Sequence, residues 1–308
     1  MFSVIDSIIP VFLLIATGWL ARASNLIGDK DWNGVERATY YIFFPALIID
    51  TLARADLGSV PVLGVGGALV GAILLVAAAL LVLRPFLERS IGLDGPSFTS
   101  LFQGSTRWNT FIGLAMATTL FGPRGVTLMA VAIAAMVPLL NTLAFSVLVR
   151  FAGGPAQTPL QTLRSFIANP FIWSCAIGLA LNVSGLPVPK PIGSFVEILG
   201  RAALAAGLLI VGAGLDVRRV AKPQAVHLVS IAAKLFVLPL TAVTMARLFG
   251  VSGLDLEVTV VAASVPTASG AYALAKLMGG NAPLMAEIIT IQTLASLATI
   301  PLMMALMI

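Results

Sequence analysis

Two polar clusters interrupt long apolar runs in this chain. Gly104-Ser105-Thr106-Arg107-Trp108-Asn109-Thr110 lies inside SFTSLFQGSTRWNTFIGLAMATTLFG, and Ser264-Val265-Pro266-Thr267-Ala268-Ser269-Gly270 inside LDLEVTVVAASVPTASGAYALAKLMGG. The first opens on a glycine. The second holds Pro266, which lacks an N–H and clashes with the preceding helical turn. A helix broken at such a point exposes the N–H groups of its second half, whose partial positive charge suits an anion. Arg107 adds a full charge with a fork that matches a carboxylate. Asn109, Thr110, Thr267 and Ser269 supply neutral donors. The spacing therefore predicts an anion site at Arg107, Asn109, Thr110, Pro266, Thr267 and Ser269, most simply for a carboxylate. The plainer alternative is that Pro266 only kinks a helix, as prolines do in membrane spans. Arg107 then snorkels to an interface, or braces the crossing through backbone carbonyls.

Other polar residues also fall inside apolar runs. Lys234 is a second cation at depth, which either contacts a dianion or pairs with an acid. A charge at helix centre costs about 2.5–3.5 kcal/mol on the insertion scale, so each needs a partner or a water path. Glu197 and Arg201, four apart, read as an ion pair along one helix. Asp6, Asp50 and Glu287 read as interfacial caps, and Asn141, Gln292 and Tyr272 as interhelical hydrogen-bonding groups. His227 reads as interfacial. It is the single histidine, and Cys175 the single cysteine, so a Cys-based zinc site, a His-rich metal site and an intrachain disulfide are excluded. There is no Walker loop, HExxH or GxSxG. An intramembrane enzyme would need a nucleophile and base in reach, and no convincing pair is present.

The elements that must position these groups are membrane spans. The chain has 308 residues, 59% hydrophobic and 10% charged. A soluble domain is about 25% charged, so too little polar surface remains to cover a globule of this size. Ten segments meet the length of a spanning helix: 4–22, 36–54, 61–84, 97–120, 124–150, 166–184, 192–216, 225–247, 254–276 and 283–306. No basic residue precedes the first run, which argues against a cleaved signal peptide. Loops after odd-numbered segments carry eleven Lys and Arg, among them Arg218, Arg219 and Lys222, against four after even-numbered ones. That bias predicts odd loops in the cytoplasm and both termini outside. Topology, rather than nucleic acid, accounts for the net charge of +5.

The two halves resemble each other. Pro10, Gly18, Ser24 and Leu26 recur as Pro170, Gly178, Ser184 and Leu186, at an offset of 160. Gly113, Leu120 and Gly122 recur as Gly270, Leu277 and Gly279, at an offset of 157, which sets Asn109 opposite Pro266. The reading is a five-helix repeat at 1–150, a cytoplasmic linker at 151–165, and a second repeat at 166–308. Five is odd, so the second copy enters the membrane inverted, the architecture of secondary transporters.

The stretches PVFLLIATGWLARASNLI, YYIFFPALI, RWNTFIGLA, NPFIWSCAIGLALNVSGLP and VPTASGAYALAKLMGG resemble the auxin efflux carrier family of prokaryotes, over nearly the whole chain. The resemblance implies the bile acid sodium symporter-like fold: an all-α membrane protein of ten transmembrane helices in two inverted repeats. It implies broken, crossing helices 4 and 9, a scaffold of helices 1, 2, 6 and 7, a transport domain of 3–5 and 8–10, elevator motion and a homodimer through the scaffold. By the same resemblance, Asn109 matches an asparagine that contacts the substrate carboxylate, and Pro266 the proline of the second crossing. The chain departs from the family in having only Gly104 in its first crossing, in carrying Arg107, and in reading Ala205-Ala206-Gly207 where relatives often have a proline.

Together these readings predict a secondary transporter, not an enzyme, for a small organic anion in a bacterial inner membrane. Arg107 favours a dicarboxylate such as malonate or malate. An aromatic monocarboxylate such as auxin and an anion channel or facilitator are the alternatives. No cofactor is expected beyond a coupling ion, H+ or Na+.

Overall fold

In the computed structural model the described residues are 2–55, 58, 61–154, 158, 160, 161, 164, 167–217 and 224–307. The cations Arg218, Arg219 and Lys222 and most of the linker around 155–166 lie outside them. Among the described residues every regular element is helical. The helices are α1 (Phe2–Ala23), α2 (Asp29–Ala38), α3 (Phe44–Ala53), α4 (Val62–Ile91), α5 (Gly95–Thr106), α6 (Thr110–Ala152), α7 (Pro170–Ser184), α8 (Lys190–Ala213), α9 (Ala225–Ile231), α10 (Leu238–Leu248), α11 (Gly253–Ser264), α12 (Gly270–Met278) and α13 (Ala282–Met307). Wide, π-helical turns at Thr39–Phe43 and Ala232–Val237 join α2 to α3 and α9 to α10 without a break.

Six helical stretches among the described residues are long and apolar enough to cross a membrane. One of them, Gly95–Ala152, covers α5, α6 and the extended residues between them, 58 residues that hold two expected spans. Gly122, at φ 60° and ψ −148°, breaks it between them. Three expected spans lie outside these six stretches. The second is α2 plus α3 around a π-turn, the sixth is the 15-residue α7, and the ninth is split into α11 and α12. Large apolar side chains face outward on these helices, Leu63 at 89% and Val82 at 78% exposure among them. Lipid, not water, suits that surface.

The helices pack in two groups. α8 lies against α1 and α3, and α3 against α7. Small residues set these contacts, as is usual where lipid leaves no hydrophobic drive between helices. A Cβ added at Gly18 would collide with the Leu209 carbonyl, and one at Gly212 with the Ile15 carbonyl, so α1 and α8 touch backbone to backbone through reciprocal glycines. Gly178 and Gly200 receive α3 at Leu52 and Leu47 in the same way. The second group is α4–α6 with α9–α13, in which α4 packs on α10, α11 on α6 and α13 on α5 and α11.

Replacing Gly212 by Val must part α1 from α8. A loss of at least about 1–3 kcal/mol is expected from overpacking. Gly34, whose Cβ would meet nothing within 4 Å, should gain about 1 kcal/mol on replacement by Ala through helix propensity. Thermal unfolding of the two variants in detergent checks both signs.

Candidate functional site

The two polar clusters meet. α5 ends at Thr106, and Arg107 (φ −70°, ψ 155°) and Asn109 (φ −90°, ψ 100°) are extended. α11 ends at Ser264, and Val265 (φ −65°, ψ 146°) is extended. The two extended stretches cross, and the Asn109 N–H donates to the Pro266 carbonyl at 2.8 Å. The first break is thus sharp without a proline. Asn109 supplies the reason: its Oδ1 caps the new helix by accepting from Phe111 N and Ile112 N, each at 3.1 Å.

Loose helix ends in lipid must be satisfied internally, and at the end of α5 the crossing does this for the Gly104 carbonyl. The Gly104 carbonyl, left without an i+4 donor, accepts from Thr267 Oγ1 at 2.7 Å and Gln292 Nε2 at 2.8 Å. Gln292 Oε1 accepts from Thr267 N at 3.1 Å, and its Nε2 also reaches Ser230 Oγ at 2.7 Å. Thr267, Gln292 and Ser230 are fully or almost fully buried. Gly104 is a close approach too, because a Cβ there would strike Ile288 and Ser230.

Beside the crossing lies a cavity of about 510 Å3. Arg107, Asn109, Thr110 and Ser269 line it, together with Gly270, whose Cβ would meet nothing within 4 Å. Pro266 and Thr267 are buried behind it as parts of the crossing. Lys234 is not in the cavity wall; it is buried beside the last turn of α11. Its Nζ donates to the main-chain oxygen of Ala263, away from the cavity lining. Around the start of α6, three N–H groups find partners inside the protein. Those of Asn109, Phe111 and Ile112 are taken up within the crossing. What Asn109 offers is its amide: Nδ2 is buried and without a partner.

Arg107 is held by neutral groups. Its Nη2 donates to Asn141 Oδ1 at 2.9 Å and its Nη1 to Gln103 Oε1 at 3.4 Å. No carboxylate among the described residues forms an ion pair with it, so its charge is free to meet one. Asn141 read in sequence as an interhelical bridge; its spacing of 34 residues from Arg107 hid its partner. Aromatic side chains complete the wall, Tyr40, Phe111, Phe145 and Phe171 among them, and Glu36 and Arg37 stand where α2 meets it. These positions carried no local signal, because a helix face on another span brings them in.

A second cavity, of about 770 Å3, lies on the other side of the crossing, lined by Asp50, Arg54, Arg124, Glu197 and Arg201. Its charges are mutually engaged: Arg54 meets Asp50 at 2.7 Å and Glu197 at 3.9 Å, Arg201 meets Glu197, and Arg124 meets Asp255 at 2.9 Å. Phe44 and Phe111, stacked with ring centroids 4.5 Å apart, pack on Gly207 between α3, α6 and α8. His227, expected at an interface, is buried; its Nε2 lies 3.0 Å from Glu287 and its Nδ1 accepts from Gln224 N.

Asn109 carries both a cap and a free donor, and two variants separate them. Asn109→Ala should cost about 1 kcal/mol through the lost cap and remove anion binding. Asn109→Asp should keep the cap and thermal stability while repelling anions. Thermal unfolding with and without added dicarboxylate distinguishes the two.

Comparison with known proteins follows the same line. The family described as membrane transport protein matches residues 155–304. An uncharacterized transporter of Methanothermobacter thermautotrophicus is 25% identical over 299 residues, 96% of each chain. A protein of Rhizobium meliloti, provisionally named a malonate transporter, is 25% identical over 308 residues, 95% of this chain and 92% of its own. The second half of the chain is thus similar to the membrane transport protein family, and its whole length to two proteins named as transporters.

Proposed function

We propose that the chain is an elevator-type secondary transporter of small organic anions, with a dicarboxylate such as malonate or malate as substrate. The observation that carries this reading is the pairing, in one cavity, of the Arg107 guanidinium on neutral partners only with the orphan amide of Asn109. One carboxylate is bound by Asn109, Thr110 and Ser269, and Arg107 neutralises the second. The cavity volume falls in the range of small-molecule sites, about 300–1,000 Å3. The name of the Rhizobium meliloti relative agrees with the choice of malonate.

Ten spans in two inverted repeats, 1–150 and 166–308, are supported by paired local features. α5 and α11 are both 12 residues long and both end in an extended residue. The helices after the two breaks each reach a glycine of positive φ, Gly122 at 60° and Gly279 at 81°. In this reading the group of α1, α3, α7 and α8 is a scaffold, through which two copies pair as a homodimer. The group holding the crossing slides against it. With odd loops in the cytoplasm of a bacterial inner membrane, the cavity opens inward, since Glu36, Asn169 and Leu277 mark the cytoplasmic ends of their spans. The Phe44–Phe111 stack then closes it from the second cavity. Net uptake of an anion against the membrane potential draws on a co-transported H+ or Na+.

The aromatic wall favours one further reading, an aromatic monocarboxylate such as auxin, for which Arg107 is a brace. Proteoliposomes preloaded with unlabelled malonate test the two. Labelled malonate should accumulate by counterflow, which a channel does not show. Arg107→Gln should weaken uptake roughly ten- to hundredfold, the worth of a charge-assisted hydrogen bond of about 1.5–3 kcal/mol. No counterflow of malonate or malate by folded protein, with counterflow of an aromatic monocarboxylate that survives Arg107→Gln, would overturn the dicarboxylate.

A further inference from the structure

Lys234 lies in the π-helical turn Ala232–Val237 with none of its surface exposed. Its Nζ donates to the main-chain oxygen of Ala263, 3.3 Å away. Ala263 is in the last turn of α11, immediately before the second break. Carbonyls there lack their i+4 donors and form the negative pole of the helix. The neighbouring Ser264 Oγ is buried and without a partner.

No acid among the described residues answers this ammonium from the elements packed on the turn. α5 holds no ionisable residue. On α11, Asp255 and Glu257 stand two turns before Ala263, and Asp255 is engaged by Arg124. On α13, Glu287 is bonded to His227 of α9. On α10, Arg247 lies in the last turn and donates to the Met307 carbonyl. The other helix end at the crossing is treated differently, since two neutral donors, Thr267 Oγ1 and Gln292 Nε2, satisfy Gly104. The C-terminal end of α5 thus receives neutral donors, and that of α11 the amine of Lys234.

Carbonyls of an interrupted helix end, aided by a hydroxyl, are the groups that hold a coupling Na+ in transporters with broken helices. We propose that the Lys234 ammonium stands where such a metal cation would otherwise sit, so that the crossing carries its cation covalently. The charge then rides with the moving helices in both directions, and the cycle takes no Na+ at this point. H+ is left as the cation for coupled uptake. The inference rests on the chain being a carrier but not on which anion it carries.

The test reads stability and transport separately, on the full chain. Wild-type Tm in detergent should be the same in sodium and choline chloride at equal ionic strength, and anion exchange in proteoliposomes likewise. Lys234→Ala opens a cation-sized space. Its Tm should fall by several degrees and recover saturably with methylammonium or Na+, but not with choline. Lys234→Met fills the space without charge, so its Tm should fall and not recover. A saturable rise of wild-type Tm or exchange with Na+ would overturn the proposal. So would wild-type stability and exchange in Lys234→Met, or a folded Lys234→Ala that no small cation restores. Should Lys234→Ala not be recovered folded, the wild-type sodium comparison decides alone. Failure of exchange for every anion, with the stability pattern intact, would sink the carrier reading and leave the lysine as the crossing's fixed cation.

Discussion

Backbone groups cannot go unpaired in lipid, and the two helix breaks of this chain stand or fall on that constraint. Each break frees carbonyls on one side and N–H groups on the other, deep inside the bundle. The bond from Asn109 N–H to the Pro266 carbonyl ties one break to the other. Thr267 and Gln292 close the Gly104 carbonyl, Asn109 closes the start of α6, and Lys234 closes the end of α11. Neither break is satisfied alone. The crossing is therefore a single cooperative unit drawn from four stretches of chain, and α5, α11 and α13 are held together by it.

Once those bonds are made, the groups left over define the chemistry. Asn109 spends its oxygen on the cap and keeps a donor, and Arg107 spends two of its N–H bonds on neutral amides and keeps its charge. A cation buried on neutral partners favours an anion more than one already paired with an acid, since no carboxylate has to be displaced. The contrast with the second cavity is instructive. There Arg54, Arg124 and Arg201 are all engaged by carboxylates, so its electrostatic field is largely cancelled.

Packing divides the molecule along the same line. The reciprocal glycine contacts of α1 with α8, and of α3 with α7 and α8, make one close-packed group. Such backbone contacts do not slide, because the approach of main chains is specific to one register. Between the two groups lie the stacked Phe44 and Phe111, and a hydrogen bond from Asp216 N to Thr290 Oγ1 at 3.0 Å.

The extreme apolar composition, the helical class and the position of both breaks were legible in the sequence, because each rests on local chemistry: run length, a proline at depth, a polar cluster where lipid should be. The repeat offset even set Asn109 opposite Pro266, which the fold joins by a hydrogen bond. Three features were decided only by tertiary structure. Asn141 holds Arg107 from 34 residues away; Lys234 turns from the cavity to a helix end; and His227 buries itself against Glu287. In each case the partner lies on another helix, and the choice depends on which face that helix presents after packing. Run length also overstated what single helices do, since α7 has 15 residues and the second and ninth segments are split or widened. Local propensity names the groups that must be satisfied in a membrane. The neighbours that satisfy them exist only once the helices have assembled.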